Sequence, residues 1–201
     1  MSKSNWKGSS GWNSYDDPTG VLEGTPLFVN AGRNQIIEDC LIQEIGTSSA
    51  FNKDHYKVQI DFAFYFEQEV SGRLGLISRG TSFTTSVKKP FILENCYLLY
   101  IDVDTNTISL VRRRGNEETT LFETQLSVPM LYETKYTLTL SCYGSEQTNI
   151  KAFIGNEKVM TYLDNSALNL LSGFPGLYCS GGKFFVNNFA IMELNSDGTD
   201  A

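Results

Sequence analysis

From about residue 25 onward the chain is written in short apolar runs of period two. The clearest are Tyr56–Phe66, Arg73–Ser78, Tyr97–Val103, Thr107–Arg112, Lys135–Cys142, Asn149–Ile154 and Lys183–Glu193, each rich in β-branched and aromatic residues and bounded by Gly, Asn, Asp or Ser. In Lys135–Cys142 the residues Tyr136, Leu138, Leu140 and Cys142 fall on one face, and Thr137, Thr139 and Ser141 on the other. That is the alternation of a sheet with one buried side. Asp104-Thr-Asn106 predicts a hairpin with Asn106 in the left-handed region, and Gly155-Asn156 joins Ile154 to Lys158–Met160 in the same way. Helical periodicity is absent over any stretch of ten residues, and Asn165–Leu171 amounts to one short turn or helix at most. Roughly a dozen short strands joined by tight turns predict an all-β fold, two antiparallel sheets packed as a sandwich.

The ends differ from this body. Residues 1–24 are rich in Ser, Gly and Asn and close on Asp16-Asp17-Pro18-Thr19-Gly20, which predicts an extended N-terminal arm ahead of a sandwich over 25–194; residues 195–201 read as a short acidic tail. Both tryptophans, Trp6 and Trp12, lie in the arm, with Tyr15 close behind. A tryptophan is costly to leave in water, so the pair either folds back onto its own sandwich or docks on a neighbouring subunit as aromatic anchors.

The order of the pieces resembles a known family. A strand of the Tyr56–Phe66 form is followed by Gly72-Arg-Leu-Gly-Leu-Ile-Ser-Arg79. Then come Tyr97-Leu-Leu-Tyr-Ile-Asp102, Ile108-Ser-Leu-Val-Arg-Arg113, Tyr136-Thr-Leu-Thr-Leu140, Ile150-Lys-Ala-Phe-Ile-Gly-Asn156, Gly176-Leu-Tyr178 and Phe184-Phe-Val-Asn-Asn-Phe-Ala-Ile191. Over residues 55–194 this resembles the concanavalin A-like jelly rolls, in particular their laminin-G-like branch. The resemblance implies a two-sheet jelly roll and a choice among lectins, carbohydrate-binding modules, glycoside hydrolases, and adhesion or virion proteins. Asn187-Asn188 stands where the family commonly carries an acidic residue, which counts against a rim calcium site.

Composition narrows the choice. A net charge of −7 disfavours phosphate-backbone binding, and strand alternation sends Arg113 of the run Arg112-Arg113-Arg114 to the opposite face from its neighbours, so no nucleic-acid partner is expected. The start Met1–Trp6 lacks the apolar run of a signal peptide, and no apolar stretch is long enough to span a bilayer. The expectation is a virion or cytoplasmic location without membrane insertion. Cys40, Cys96, Cys142 and Cys179 are widely spread and read as small buried hydrophobes.

Catalytic chemistry finds little to use. Retaining glycoside hydrolysis on this kind of fold needs two carboxylates on one strand face, and Ile101-Asp-Val-Asp104 offers two aspartates without a glutamate, while Glu117-Glu118 lie in an apparent turn. His55 is the lone histidine, expected to face solvent at a strand start, and no Gly-x-Ser-x-Gly elbow accompanies it. Asp102, Asp104 and Asn106 have alternating oxygen donors but lack the rest of a calcium loop, so a hairpin is expected and no metal or cofactor. Sugar binding needs exposed aromatic faces with flanking donors, for which the candidates are Arg79, Tyr97, Tyr100, Tyr132, Tyr143 and Tyr178. The reading is a non-enzymatic structural or interaction protein, a bacteriophage-type capsid decoration or fibre subunit anchored to its own kind or to capsid-like partners through Trp6, Trp12 and Tyr15, with room for a glycan-facing surface and so for carbohydrate as a further partner. The alternative is a carbohydrate-binding module.

Overall fold

The structure, a computed structural model, describes residues 54–64, 72–84, 92–115, 117–131, 134–181 and 183–201, and the strand backbone at 6–8, 12–14, 27–30 and 38–43. In chain order its strands are β1 (Trp6–Gly8), β2 (Trp12–Ser14), β3 (Leu27–Asn30), β4 (Glu38–Gln43), β5 (Tyr56–Phe64), β6 (Arg73–Thr84) and β7 (Ile92–Asp102). They continue with β8 (Thr107–Arg114), β9 (Glu117–Gln125), β10 (Tyr136–Tyr143), β11 (Thr148–Ile154), β12 (Glu157–Asp164), β13 (Phe174–Ser180) and β14 (Lys183–Glu193). Among the described residues there is no helix, and Asn165–Leu171 makes a single turn closed by the Asn169 amide on the Ser166 carbonyl.

Two seven-stranded antiparallel sheets result. The first runs β1-β4-β13-β6-β7-β8-β9 and the second β12-β11-β10-β5-β14-β3-β2. The expected jelly-roll sandwich is therefore the observed fold. Between the sheets lie Val58, Ile60, Phe62 and Phe64 of β5, Leu74 and Leu76 of β6, Leu99 and Ile101 of β7, and Leu138, Leu140 and Cys142 of β10. Alternation on β10 falls as the pattern requires, with Thr139, Ser141 and Tyr143 on the outer face. Cys96, Cys142 and Cys179 are buried, and burial pushes the Cys142 thiol up from its ordinary range.

The turns follow their residues. Asn106 adopts φ 53° between β7 and β8, and Gly155 φ 58° between β11 and β12. Asp102 accepts from Arg73 Nε at 2.8 Å, Asp104 accepts from the Gly72 amide at 3.0 Å, and Asn106 Nδ2 donates to the Leu126 carbonyl at 3.1 Å. Each of the three candidate metal donors thus ties the hairpin to the chain beside it, at the start of β6 or the end of β9.

Two local readings need correction. Glu117 and Glu118 open strand β9 rather than a turn: β9 is the edge of the first sheet, where alternating polar residues are the norm, and Glu118 pairs with Arg113 at 2.7 Å. His55 is buried, its Nδ1 accepting the Gly144 amide at 3.2 Å. The stretch containing the tryptophans also contributes backbone to both sheets: Trp6 pairs opposite Gln43 on β4 and Trp12 opposite Val29 on β3. Their side chains, with Tyr15 and Tyr132, lie outside the described residues.

Candidate functional site

The first sheet's outer face carries two of the sequence's tyrosines. Tyr178 and Tyr100 flank Gly75 in register, two strand spacings or roughly 10 Å apart at Cα, yet their ring centroids are 6.0 Å apart. The rings lean together across the glycine, where a Cβ would lie 2.0 Å from the Leu99 carbonyl oxygen. Arg73 covers the Tyr100 ring at 4.9 Å and Arg113 the Tyr178 ring at 5.6 Å, beside the buried Ile77, Leu98 and Val111 of the same cluster. Tyr178 is 1% exposed and Tyr100 7%, so neither presents a ring to a ligand.

Tyr97 points the other way, into the core. Its hydroxyl donates to Asp164 Oδ2 at 2.7 Å and accepts the Leu170 amide at 2.9 Å. Arg112 Nη1 meets the same carboxylate oxygen at 2.7 Å, and Ser166 Oγ donates to the other at 2.6 Å. Burial works to raise the Asp164 pKa, but the bonds from Ser166, Tyr97 and Arg112 together hold it below the usual carboxylate range. Burial also pushes the Tyr97 hydroxyl up. This network links β7 and β8 of one sheet to β12 of the other.

Arg79 is fully buried, at φ 53° in the irregular stretch of β6 between Ser78 and Thr81. Its guanidinium donates to Thr148 Oγ1 at 2.5 Å, to the Leu170 carbonyl at 2.5 Å, and to the Asp54 and Gly144 carbonyls. Its own amide donates to the Tyr56 hydroxyl at 2.6 Å. Arg79, proposed from sequence as a sugar donor, is instead a clamp that gathers the start of β5, the β10–β11 turn and the β12–β13 loop.

An open depression lies on the outer face of the second sheet. Strand register builds it in rows. Lys151, Ser141, Lys57 and Met192 stand side by side across β11, β10, β5 and β14; the next row is Phe153, Thr139, Gln59 and Ala190. Tyr143 closes one end. The groove has a volume of about 280 Å³ and is lined by these side chains, Ala190 excepted, with Leu194, Gly198 and Asp200. That places it at the small end of ligand pockets.

The residues read as an acidic tail form its rim. Leu194 bridges to Asp200, and the Asn195 amide bonds the Thr199 carbonyl at 2.8 Å, while Asp197 Oδ1 accepts from both the amide and the hydroxyl of Thr199. Gly198, at φ 85°, rests on the Tyr143 ring, where a Cβ would come within 2.6 Å. Asp200 Oδ1 meets Lys57 Nζ at 2.6 Å, the Lys151 ammonium lies 5.0 Å from the Tyr143 ring centroid, and Thr139 Oγ1 donates to Gln59 Oε1 at 3.2 Å. Beyond the groove, on the same face, Asp61 takes bonds from Thr137 at 2.6 Å, Asn188 at 2.8 Å and Lys135 at 3.0 Å. Burial works to raise its pKa and these bonds hold it low.

Of the sequence's sugar-binding candidates, Tyr143 borders the groove, 7% exposed with its ring under Gly198 and Lys151; Arg79, Tyr97, Tyr100 and Tyr178 do not line it. Lys57, Gln59, Lys151, Phe153 and Asp200 were missed. Their signal was present in the outward positions of β5, β10 and β11, but only the register of three strands and the returning C-terminus brings them together. Among the described residues no group of three or more His, Cys, Asp or Glu stands together as metal donors, and no helix is long and apolar enough to cross a membrane.

No family model and no curated protein matches the chain. Solved structures do. Carbohydrate-binding module CBM66 from Bacillus subtilis is 14% identical over 93% of this chain and 94% of its own, with a TM-score of 0.65. A legume lectin-like domain from Entamoeba histolytica is 10% identical over 95% and 91%, at 0.60. The exoplasmic/lumenal domain of VIP36, in its calcium- and Man3GlcNAc-bound form, is 9% identical over 97% and 86%, at 0.63. These likenesses, all under 25% identity, show the fold: a two-sheet jelly-roll β-sandwich shared with these domains.

Proposed function

We propose that this chain is a non-catalytic carbohydrate-binding module that takes its saccharide in the groove on the outer face of the second sheet. The observation that carries the reading is the make-up of that groove: the half-buried Phe153 ring stands beside the amide of Gln59, the hydroxyls of Thr139 and Ser141, and two ammonium groups. Sugar rings present C–H faces that stack on aromatic surfaces and hydroxyls that need paired donors and acceptors, and the groove supplies both. The fold neighbours, two of them named for lectin-like or carbohydrate-binding domains, support the same class. Asp200 is the one carboxylate among the lining residues, whereas glycoside hydrolysis calls for a pair; the groove is suited to holding a sugar and not to cleaving it. A glycan array with the wild-type chain and Phe153→Ala tests the reading. Retention of a defined glycan set by the wild type and its loss in the variant is expected, and a blank array for both would overturn it.

An assembly role, as a laminin-G-like virion accessory docked through Trp6, Trp12 and Tyr15, draws less support. The backbone of Trp6 and Trp12 is already engaged with β4 and β3 of the same chain.

A further inference from the structure

The groove's charge departs from that of the chain around it. Acidic residues outnumber basic ones, 23 to 16, yet the central row of the groove sets Lys57 and Lys151 on either side of Ser141. Lys158 stands opposite Phe153 one strand further out, on β12. The two central lysines are in different states. Lys57 holds Asp200 at 2.6 Å, whereas Lys151 among the described residues lies over the Tyr143 ring rather than on a carboxylate. Asp200 reaches Lys57 because the chain turns back at Asn195–Thr199, and its side chain remains 77% exposed. An exposed carboxylate delivered to a groove lysine occupies the place that a bound anion would take.

Resting on the carbohydrate reading above, we propose that the groove selects acidic saccharides, those bearing a uronate or similar sugar carboxylate. Lys151 is the anchor for the ligand carboxylate and Asp200 an internal competitor for Lys57. A carboxylate seated between the lysines makes charge-assisted bonds that a neutral hydroxymethyl or ester cannot. The stems of Lys57 and Lys151 start roughly 10 Å apart across two strand spacings, so both ammonium groups reach one sugar carboxylate, or neighbouring ones along a chain. The Lys57–Asp200 pair is exposed and worth little to folding, so a ligand displaces Asp200 at small cost.

The test is calorimetric titration of the full chain with oligogalacturonate, oligomannuronate and hyaluronan oligomers, each beside its methyl-esterified counterpart. At least one acid form is expected to bind, about tenfold or more tighter than its ester. Lys151→Met, which keeps the stem, should remove that preference, Lys151→Arg should restore most of it, and Asp200→Asn should tighten the acid form severalfold. Thermal unfolding of each variant shows that the fold is kept. Equal affinity for acid and ester, or array glycans that are all neutral, would overturn the acidic preference while leaving the carbohydrate reading standing. An Asp200→Asn variant that binds like the wild type would remove the competitor. Binding of no saccharide of either kind would sink both.

Discussion

The two outer faces of this sandwich are built from the same alternation and end in opposite states. On the first sheet, Tyr100 and Tyr178 are packed together, covered by Arg73 and Arg113, and closed. On the second, the half-buried Phe153 borders an open groove between lysines, hydroxyls and an amide, while Tyr143 is covered by Gly198 and Lys151. The difference lies in what covers each ring: Tyr100, Tyr178 and Tyr143 each lie under a cationic side chain and are nearly fully buried, whereas Phe153 keeps part of its ring open. Arg73, bonded to Asp102, and Arg113, bonded to Glu118, are held over the first sheet's tyrosines.

The largest effects should come from breaking the closed parts. Tyr178→Ala is expected to lower stability by about 3–5 kcal/mol in urea titration, the cost of emptying a buried aromatic site, while the folded fraction still binds glycan. A loss of binding with intact stability would assign ligand contact to the wrong face. Asp164→Asn removes one partner of the buried pair with Arg112 and should cost about 3 kcal/mol near neutral pH.

The same residue sets an acid response. The folded-state pKa of Asp164 is lowered, so its stabilisation is fully present above the unfolded-state value of about 3.9 and fades as pH falls through the folded value. Asp61, lowered in the same sense, adds to the loss. Acid titration of the wild type should show stability declining below about pH 4, with a shallower decline in Asp164→Asn. An equal slope in the two would mean that the network does not control that charge.

On the open face the balance reverses. Phe153→Ala should cost about 1 kcal/mol of stability or less, and weaken glycan binding about tenfold, as expected for one lost stacking ring. A large stability loss would show the ring to be packing rather than platform. The smallest expected effect is Asp200→Asn on folding, under about 1 kcal/mol and vanishing at high salt, as for an exposed ion pair.

Much of the frame was legible in the sequence. The alternation of Lys135–Cys142, the left-handed Asn106, the Gly155 turn and the divergence of Arg112 from Arg113 all follow from period two and turn chemistry, and the structure has each of them. Period two names a residue's face but not what covers it. Tyr97, Tyr100 and Tyr178 therefore read alike, though one is core and two lie under arginines. Arg79 was opaque because its partners come from three loops distant in sequence. Strand β9 was hidden by the polarity of Glu-Glu-Thr-Thr, which suits an edge strand as well as a turn. The groove needed long-range register and the return of Asp200 to Lys57, 143 residues apart in sequence.

The most direct test of the central claim is amide chemical-shift mapping of the full chain on titration with the glycan retained most strongly on the array. Perturbations concentrated at Lys57, Gln59, Thr139, Ser141, Lys151 and Phe153, with Tyr100 and Tyr178 unmoved, are the predicted result. Perturbations centred on the first sheet, or no glycan able to move the second-sheet amides, would contradict the account.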